Sequence, residues 1–233
     1  MPQFARVTVP GCPHHVIQRG NRRQRVFFDE SDKRFYLNLL KEQRLKYGVK
    51  IWAWCLMDNH VHFVAVPDTS SSLAGCFGET HKKYTQAINK REGWKGFLWQ
   101  GRFKSFVMDE SYLLTALRYV EKNPVEAGLV ARPENYAWSS ARARINGAFD
   151  PVLDRCFVDD QITDWSGFLD AEDERMKRME ANENAARPLG DEDFLHRLEV
   201  RMGCRLDPLK MGRRRKIKEV AKGSCVPGTS TPC

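Results

Sequence analysis

Asn59-His60-Val61-His62-Phe63-Val64-Ala65-Val66 is a run of β-branched and apolar residues broken only by two histidines. That composition reads as a buried strand. Side chains two apart on a strand share a face. His60 and His62 therefore project side by side from a stiff backbone, as a bidentate metal clamp requires. A half-buried strand with two hydrogen-bonded histidines would account for the same eight residues. Just upstream, Val49 to Met57 reads as a second strand, and Asp58-Asn59 fits a two-residue turn. Residues 49–66 then form an antiparallel hairpin, closed by Pro67.

Toward the N-terminus, His14-His15-Val16-Ile17-Gln18-Arg19 reads as another strand, broken by Gly20-Asn21. Arg19, Arg22, Arg23 and Arg25 crowd that break, a grouping suited to phosphate contacts. His14 and His15 are adjacent and point to opposite faces, so they read as structural. Asp29 to Asp32 supplies cap and first-turn acids for a helix that carries Phe35, Leu39, Leu40 and Leu45. Gly48 ends it. Beyond the hairpin, Thr69 to Ser72 caps a helix from about Leu73 to Arg91, in which Lys82 and Lys83 are interleaved with Phe77, Tyr84 and Ile88. Residues 93–101 read as a loop holding Trp94 and Trp99. Arg102 to Met108 reads as a fourth strand, with Arg102 and Lys104 on one face.

Tyr112 to Asn123 then reads as a helix that ends at Pro124, with Leu113, Ala116, Leu117 and Val120 at helical spacing. Tyr119 and Asn123 are four apart and share a face. A tyrosine hydroxyl can serve as a nucleophile and an amide oxygen as a hard metal ligand. A core tyrosine beside a helix-terminal asparagine is the plainer reading of that pair alone. The order β-α-β-β-α-β-α predicts a ferredoxin-like α+β fold, an antiparallel sheet with helices packed on it. A short closing helix is expected at Tyr136 to Arg142. Charged helical segments are expected at 170–186 and from Pro188 to Glu199, and a disordered basic tail at 209–233. The boundaries implied are an α+β domain at 1–148, a partly helical acidic extension at 149–208 and the tail.

Three blocks carry a family resemblance: Met57-Asp58-Asn59-His60-Val61-His62, Leu98-Trp99-Gln100-Gly101-Arg102-Phe103-Lys104-Ser105, and Arg118 through Asn123-Pro124 to Val130. Their order resembles single-tyrosine (HUH) transposases of the insertion-sequence type, above all the REP-associated tyrosine transposases. The match is close over residues 11 to 145. The resemblance implies a single-stranded DNA endonuclease and strand-transferase that acts on hairpin-containing DNA. Tyr119 would attack a phosphodiester to leave a 5′-phosphotyrosine and a free 3′-OH. His60, His62 and Asn123 would hold one Mg²⁺ or Mn²⁺. A phenol with a pKa of about 10 needs activation, and the bound cation, Lys122 and Lys104 are all candidates. Arg19, Arg22, Arg23, Lys82, Lys83, Arg102 and Lys104 are the expected DNA contacts, with Trp94, Trp99, Phe103 and Tyr84 available either to stack bases or to pack in a hydrophobic core. A domesticated nuclease that processes REP hairpins, or an idle sequence-specific DNA-binding protein, would use much of the same sequence.

Charge distribution points the same way. The net charge is +8 over 233 residues. Residues 1–150 hold 23 basic and 14 acidic side chains, 151–208 hold 8 and 15, and 209–233 hold 7 and 1. A basic first half and a basic tail suit a polyanionic partner. The seven cysteines include no Cys-x-x-Cys pair, which argues against a zinc ribbon or disulfide scaffold and fits a reducing compartment. No apolar run reaches the length of a membrane span, and Met-Pro-Gln-Phe-Ala-Arg lacks the apolar core of a signal peptide. The expectation is a cytoplasmic, nucleoid-associated protein without a membrane partner, either monomer or homodimer.

Overall fold

A computed structural model of the chain describes residues 7–182 and 188–203. The expected tail at 209–233 lies outside the described residues. Four strands, β1 (His14–Arg19), β2 (Val49–Met57), β3 (His60–Pro67) and β4 (Lys104–Val107), form one sheet in the order β2-β3-β1-β4. Every neighbouring pair is antiparallel. With α1 (Glu30–Tyr47) after β1, α2 (Ser72–Glu92) after β3 and α3 (Glu110–Glu126) after β4, this is the ferredoxin-like α+β arrangement.

Local signals set these boundaries. The Asp29 carboxylate accepts from the Asp32 amide to start α1, and Gly48, at φ +61°, ends it in the left-handed conformation that glycine adopts at no steric cost. Asp109 caps α3 in the same way, accepting from the Tyr112 amide. Pro124, however, does not end α3. It sits inside the helix, which runs on to Glu126, because it falls in the last turn where its missing N–H forfeits one hydrogen bond. The chain then closes with the Ala127 amide donating to the Asn123 carbonyl and Leu129 to Pro124.

Strand alternation creates two cores. On one face Val16, Val61, Phe63 and Ala65 pack against Tyr36 and Leu40 of α1 and Phe77 and Tyr84 of α2. On the other, Ile17, Ala53, Cys55, Val64 and Phe106 pack against Leu113, Ala116, Leu117 and Val120 of α3. The expected helix at Tyr136–Arg142 is corrected. Tyr136 to Ser140 is a turn that bridges β2 only at Cys55–Ser139, with Leu56 N–H donating to the Trp138 carbonyl and Ser140 N–H to the Trp54 carbonyl, and α4 spans Ala141–Asn146. Those bonds satisfy the free edge of β2, which outweighs local helix preference.

The remaining chain forms α5 (Trp165–Asp170), α6 (Arg175–Asn182) and α7 (Glu192–Met202). It laces both edges of the sheet: Asp154 bonds Ile51 through backbone and side chain beside β2, and Leu189 exchanges backbone bonds with Val107 and Asp109 beside β4.

Candidate nucleic-acid processing site

The sheet's α3 face carries the site. Cα pairing sets Arg19 of β1 opposite His60 of β3, and Ile17 opposite both His62 and Lys104 of β4. Ile17 is packed beneath α3, so alternation brings Arg19, His60, His62 and Lys104 to that same face. Tyr119 lies over it. Its ring centroid is 5.5 Å from His62 and 5.7 Å from His15, edge-on to both. His60 and His62 are 4.9 Å apart and nearly perpendicular. The Asn123 side chain hydrogen-bonds the His60 ring. The structure thus brings together His60, His62, Tyr119 and Asn123 within one chain.

The site is electrically unusual. Burial, with Arg19 close by, holds the His60 ring well below its ordinary range, at about 4 despite the Asn123 bond that favours its charged form. Burial and the neighbouring His60, His15 and Arg19 hold His62 well below its ordinary range too. Both imidazoles are therefore neutral at pH 7, the form that binds metal. His62 Nε2 is buried without a hydrogen-bond partner. A buried, unpartnered ring nitrogen costs stability unless something occupies it, and a divalent cation fits. Among the described residues no group of three His, Cys, Asp or Glu is placed to hold a metal ion; Asn123, bonded to His60, adds a side chain with an oxygen donor.

Other expected contacts divide by position. Arg22 and Arg23 are exposed at the central positions of a turn in which the Gln24 amide donates to the Asn21 carbonyl. Both have positive φ, 53° and 60°, as in a type I′ turn. Gly20 precedes them because a Cβ there would lie 2.2 Å from the Gln24 carbonyl oxygen and 2.8 Å from Val26 Cγ1. Arg102 is exposed just ahead of β4, not within it, since the strand starts at Lys104. Lys82 and Lys83 are exposed on α2, across the sheet from the histidines.

Three of the expected stacking aromatics are corrected. Tyr84, Trp99 and Phe103 are buried in the α1/α2 core, and the Tyr84 hydroxyl donates to the Val26 carbonyl. Trp94 is 46 % exposed, and Phe97, which periodicity did not single out, is 87 % exposed in the same loop. His15 was also passed over. Its neighbour argued for opposite faces, and only the β1–β3 register reveals that its face is that of the site.

A profile described as "Transposase IS200 like" matches residues 8–123. Over that span this chain belongs to the IS200-like transposase family. No curated protein matches the sequence. Among solved structures, a REP-associated tyrosine transposase bound to a REP hairpin aligns with a TM-score of 0.55 at 18 % identity, covering 67 % of this chain and 93 % of that one. A candidate transposase from Deinococcus radiodurans R1 aligns at 20 % identity and a TM-score of 0.36, over 52 % of this chain and 97 % of that one. The first likeness establishes the ferredoxin-like transposase fold. No helix among the described residues is long and apolar enough to cross a membrane.

Proposed function

We propose that this transposase nicks and rejoins single-stranded DNA carrying a hairpin, through a covalent 5′-phosphotyrosine at Tyr119. The observation that carries the reading is the packing of Tyr119 against a neutral histidine pair whose inner nitrogen has no protein partner. His60, His62 and Asn123 would hold one Mg²⁺ or Mn²⁺. Bound there, the ion would polarise a phosphate oxygen and offset charge on the leaving 3′-oxygen.

The chain's own groups do the rest. Tyr119 Oη forms the bond to phosphorus as the bond to the 3′-oxygen breaks; the phenol gives up its proton and the departing oxygen takes one, leaving a free 3′-OH. The new ester keeps the phosphodiester's energy, so the strand can be resealed by the reverse displacement. Arg19 and Lys104, on the same face, favour both the phosphate and the phenolate. The arginine turn and the exposed Trp94 and Phe97 support a path for unpaired nucleotides on the adjacent rim. The relative bound to a REP hairpin supports a hairpin as the double-stranded part of the substrate.

The test is a denaturing-gel assay with a single-stranded oligonucleotide labelled 3′ of the cleavage point. Wild type with Mn²⁺ should give a labelled protein adduct, and EDTA should remove it. Tyr119→Phe should lose the adduct yet bind DNA, because one hydroxyl is worth only about 1 kcal/mol to the fold. Tyr112→Phe should retain it. An adduct that persists in Tyr119→Phe would place the nucleophile elsewhere.

A further inference from the structure

The outer nitrogens of the two histidines are as informative as the inner one. Asn59 lies between the arginine turn and the site. Its side-chain nitrogen is 3.2 Å from the Arg23 carbonyl oxygen, and its Oδ1 is 2.5 Å from His60 Nδ1. A backbone carbonyl can only accept, so the amide orientation is determined: the NH₂ faces Arg23 and the oxygen faces His60. His60 Nδ1 must then be the donor, so the neutral ring carries its lone pair on Nε2.

His62 is arranged in parallel. Its Nδ1 is 3.1 Å from His15 Nε2, with the two rings stacked at 15°. One of those nitrogens donates. If His62 carried its proton on Nε2, that N–H would be buried with no acceptor, at a cost of about 1–3 kcal/mol. With the proton on Nδ1 it donates to His15, and Nε2 faces inward as a lone pair.

We infer that Asn59 and His15 are positioning residues that hold His60 and His62 in the Nδ1–H tautomer, so that both Nε2 lone pairs converge on one divalent cation. This rests on the metal reading proposed above. It also gives Asn59 a second task. Its carbonyl accepts from Gly20 N–H at 2.7 Å and its NH₂ holds the Arg23 carbonyl, so the arginine turn and one metal ligand are joined through a single side chain. Metal-binding histidines elsewhere are oriented by such outer partners, whose loss typically costs about 10–100-fold in affinity.

The experiment uses the full-length ¹⁵N-labelled protein in metal-free buffer at neutral pH. Long-range ¹H–¹⁵N spectra of the imidazoles, assigned with His60→Ala and His62→Ala, report which ring nitrogen carries hydrogen. Both should be Nδ1–H in the wild type. An Nε2–H form at either ring of the wild type would overturn the inference. Mn²⁺ titration followed by electron paramagnetic resonance then separates the two claims. Wild type that binds no Mn²⁺ at these histidines overturns the metal reading and, with it, the role assigned to the partners. Wild type that binds, with Asn59→Ala and His15→Phe folded and binding as tightly, overturns the positioning role alone. The expected result is a mixed-tautomer His60 in Asn59→Ala, a mixed-tautomer His62 in His15→Phe, and Mn²⁺ affinity lower by about 10–100-fold in each.

Discussion

His14 and His15 are neighbours with different employment. His15 faces the site, whereas His14 closes the N-terminal loop: its Nδ1 donates to the Cys12 carbonyl at 2.8 Å and its Nε2 accepts from Val9 N–H at 3.1 Å. Both ring nitrogens are satisfied only in the neutral form. Burial, partly opposed by backbone bonds that favour the charged ring, brings His14 down from 6.5 to about 4. Between those values the unfolded chain binds the extra proton, so stability present above pH 6.5 is lost as the pH falls toward 4. For this one ring the slope reaches about 1.4 kcal/mol per pH unit. Urea midpoints of the metal-free protein should fall across that window, and less steeply in a folded His14→Gln variant; equal slopes would show that His14 does not titrate there. Such roles were not legible in residues 14–15 alone. The sequence told that the two rings point to opposite faces, but not their partners, which lie 2 and 5 residues from His14 and 47 residues from His15.

At the level of elements, α3 is held from behind. Glu121, fully buried, accepts from Ser140 Oγ at 2.6 Å, Arg144 Nη1 at 2.7 Å and Trp165 Nε1 at 2.6 Å. Arg118 donates to Asp173 at 2.9 Å and to the Phe168 carbonyl at 2.8 Å. These residues flank Tyr119 on the helix, and their partners come from α4, α5 and the chain leading into α6. Glu121→Ala would leave Arg144 buried beside Asp159 alone. Breaking such a pair should cost about 3–5 kcal/mol, read as a lower urea midpoint at unchanged slope; a loss below about 1 kcal/mol would show that the pair is dispensable. The helix itself was readable from Leu113, Ala116, Leu117 and Val120, and so was the shared face of Tyr119 and Asn123. Its anchoring was not, because Glu121 and Arg144 look like surface charges until α5 covers them. The fold class was readable because the alternation of strands and helices leaves few topologies. The Tyr136–Ser140 turn was hidden because an unpaired sheet edge, not local preference, decides it.

Over the whole molecule, basic residues surround the site unevenly. Arg19, Lys104, Arg22 and Arg23 lie on its face or rim, whereas Lys82 and Lys83 belong to the opposite layer. Counting charges along the chain does not reveal that division; the layer assignment does. If the site face binds single-stranded DNA, removing two phosphate contacts should flatten the dependence of log affinity on log salt by about 1.4. Arg22→Ala/Arg23→Ala should do so, and Lys82→Ala/Lys83→Ala should leave the slope near that of wild type. Equal slopes for both double variants, measured by fluorescence anisotropy, would show that DNA does not discriminate between the layers.

The arginine turn carries a further implication, for how robust this protein can be. Two consecutive side-chain-bearing residues sit in the left-handed region, where each L-residue is disfavoured by about 1 kcal/mol. Asparagine and glycine fill such positions more comfortably. Replacing Arg22-Arg23 with Asn-Gly should therefore raise the melting temperature by a few degrees while weakening DNA binding. Heat tolerance and grip on the substrate would then be set against each other at two adjacent residues. Selection for a hardier scaffold alone would erode the turn first, and a melting temperature that does not rise in the Asn-Gly variant would remove that tension.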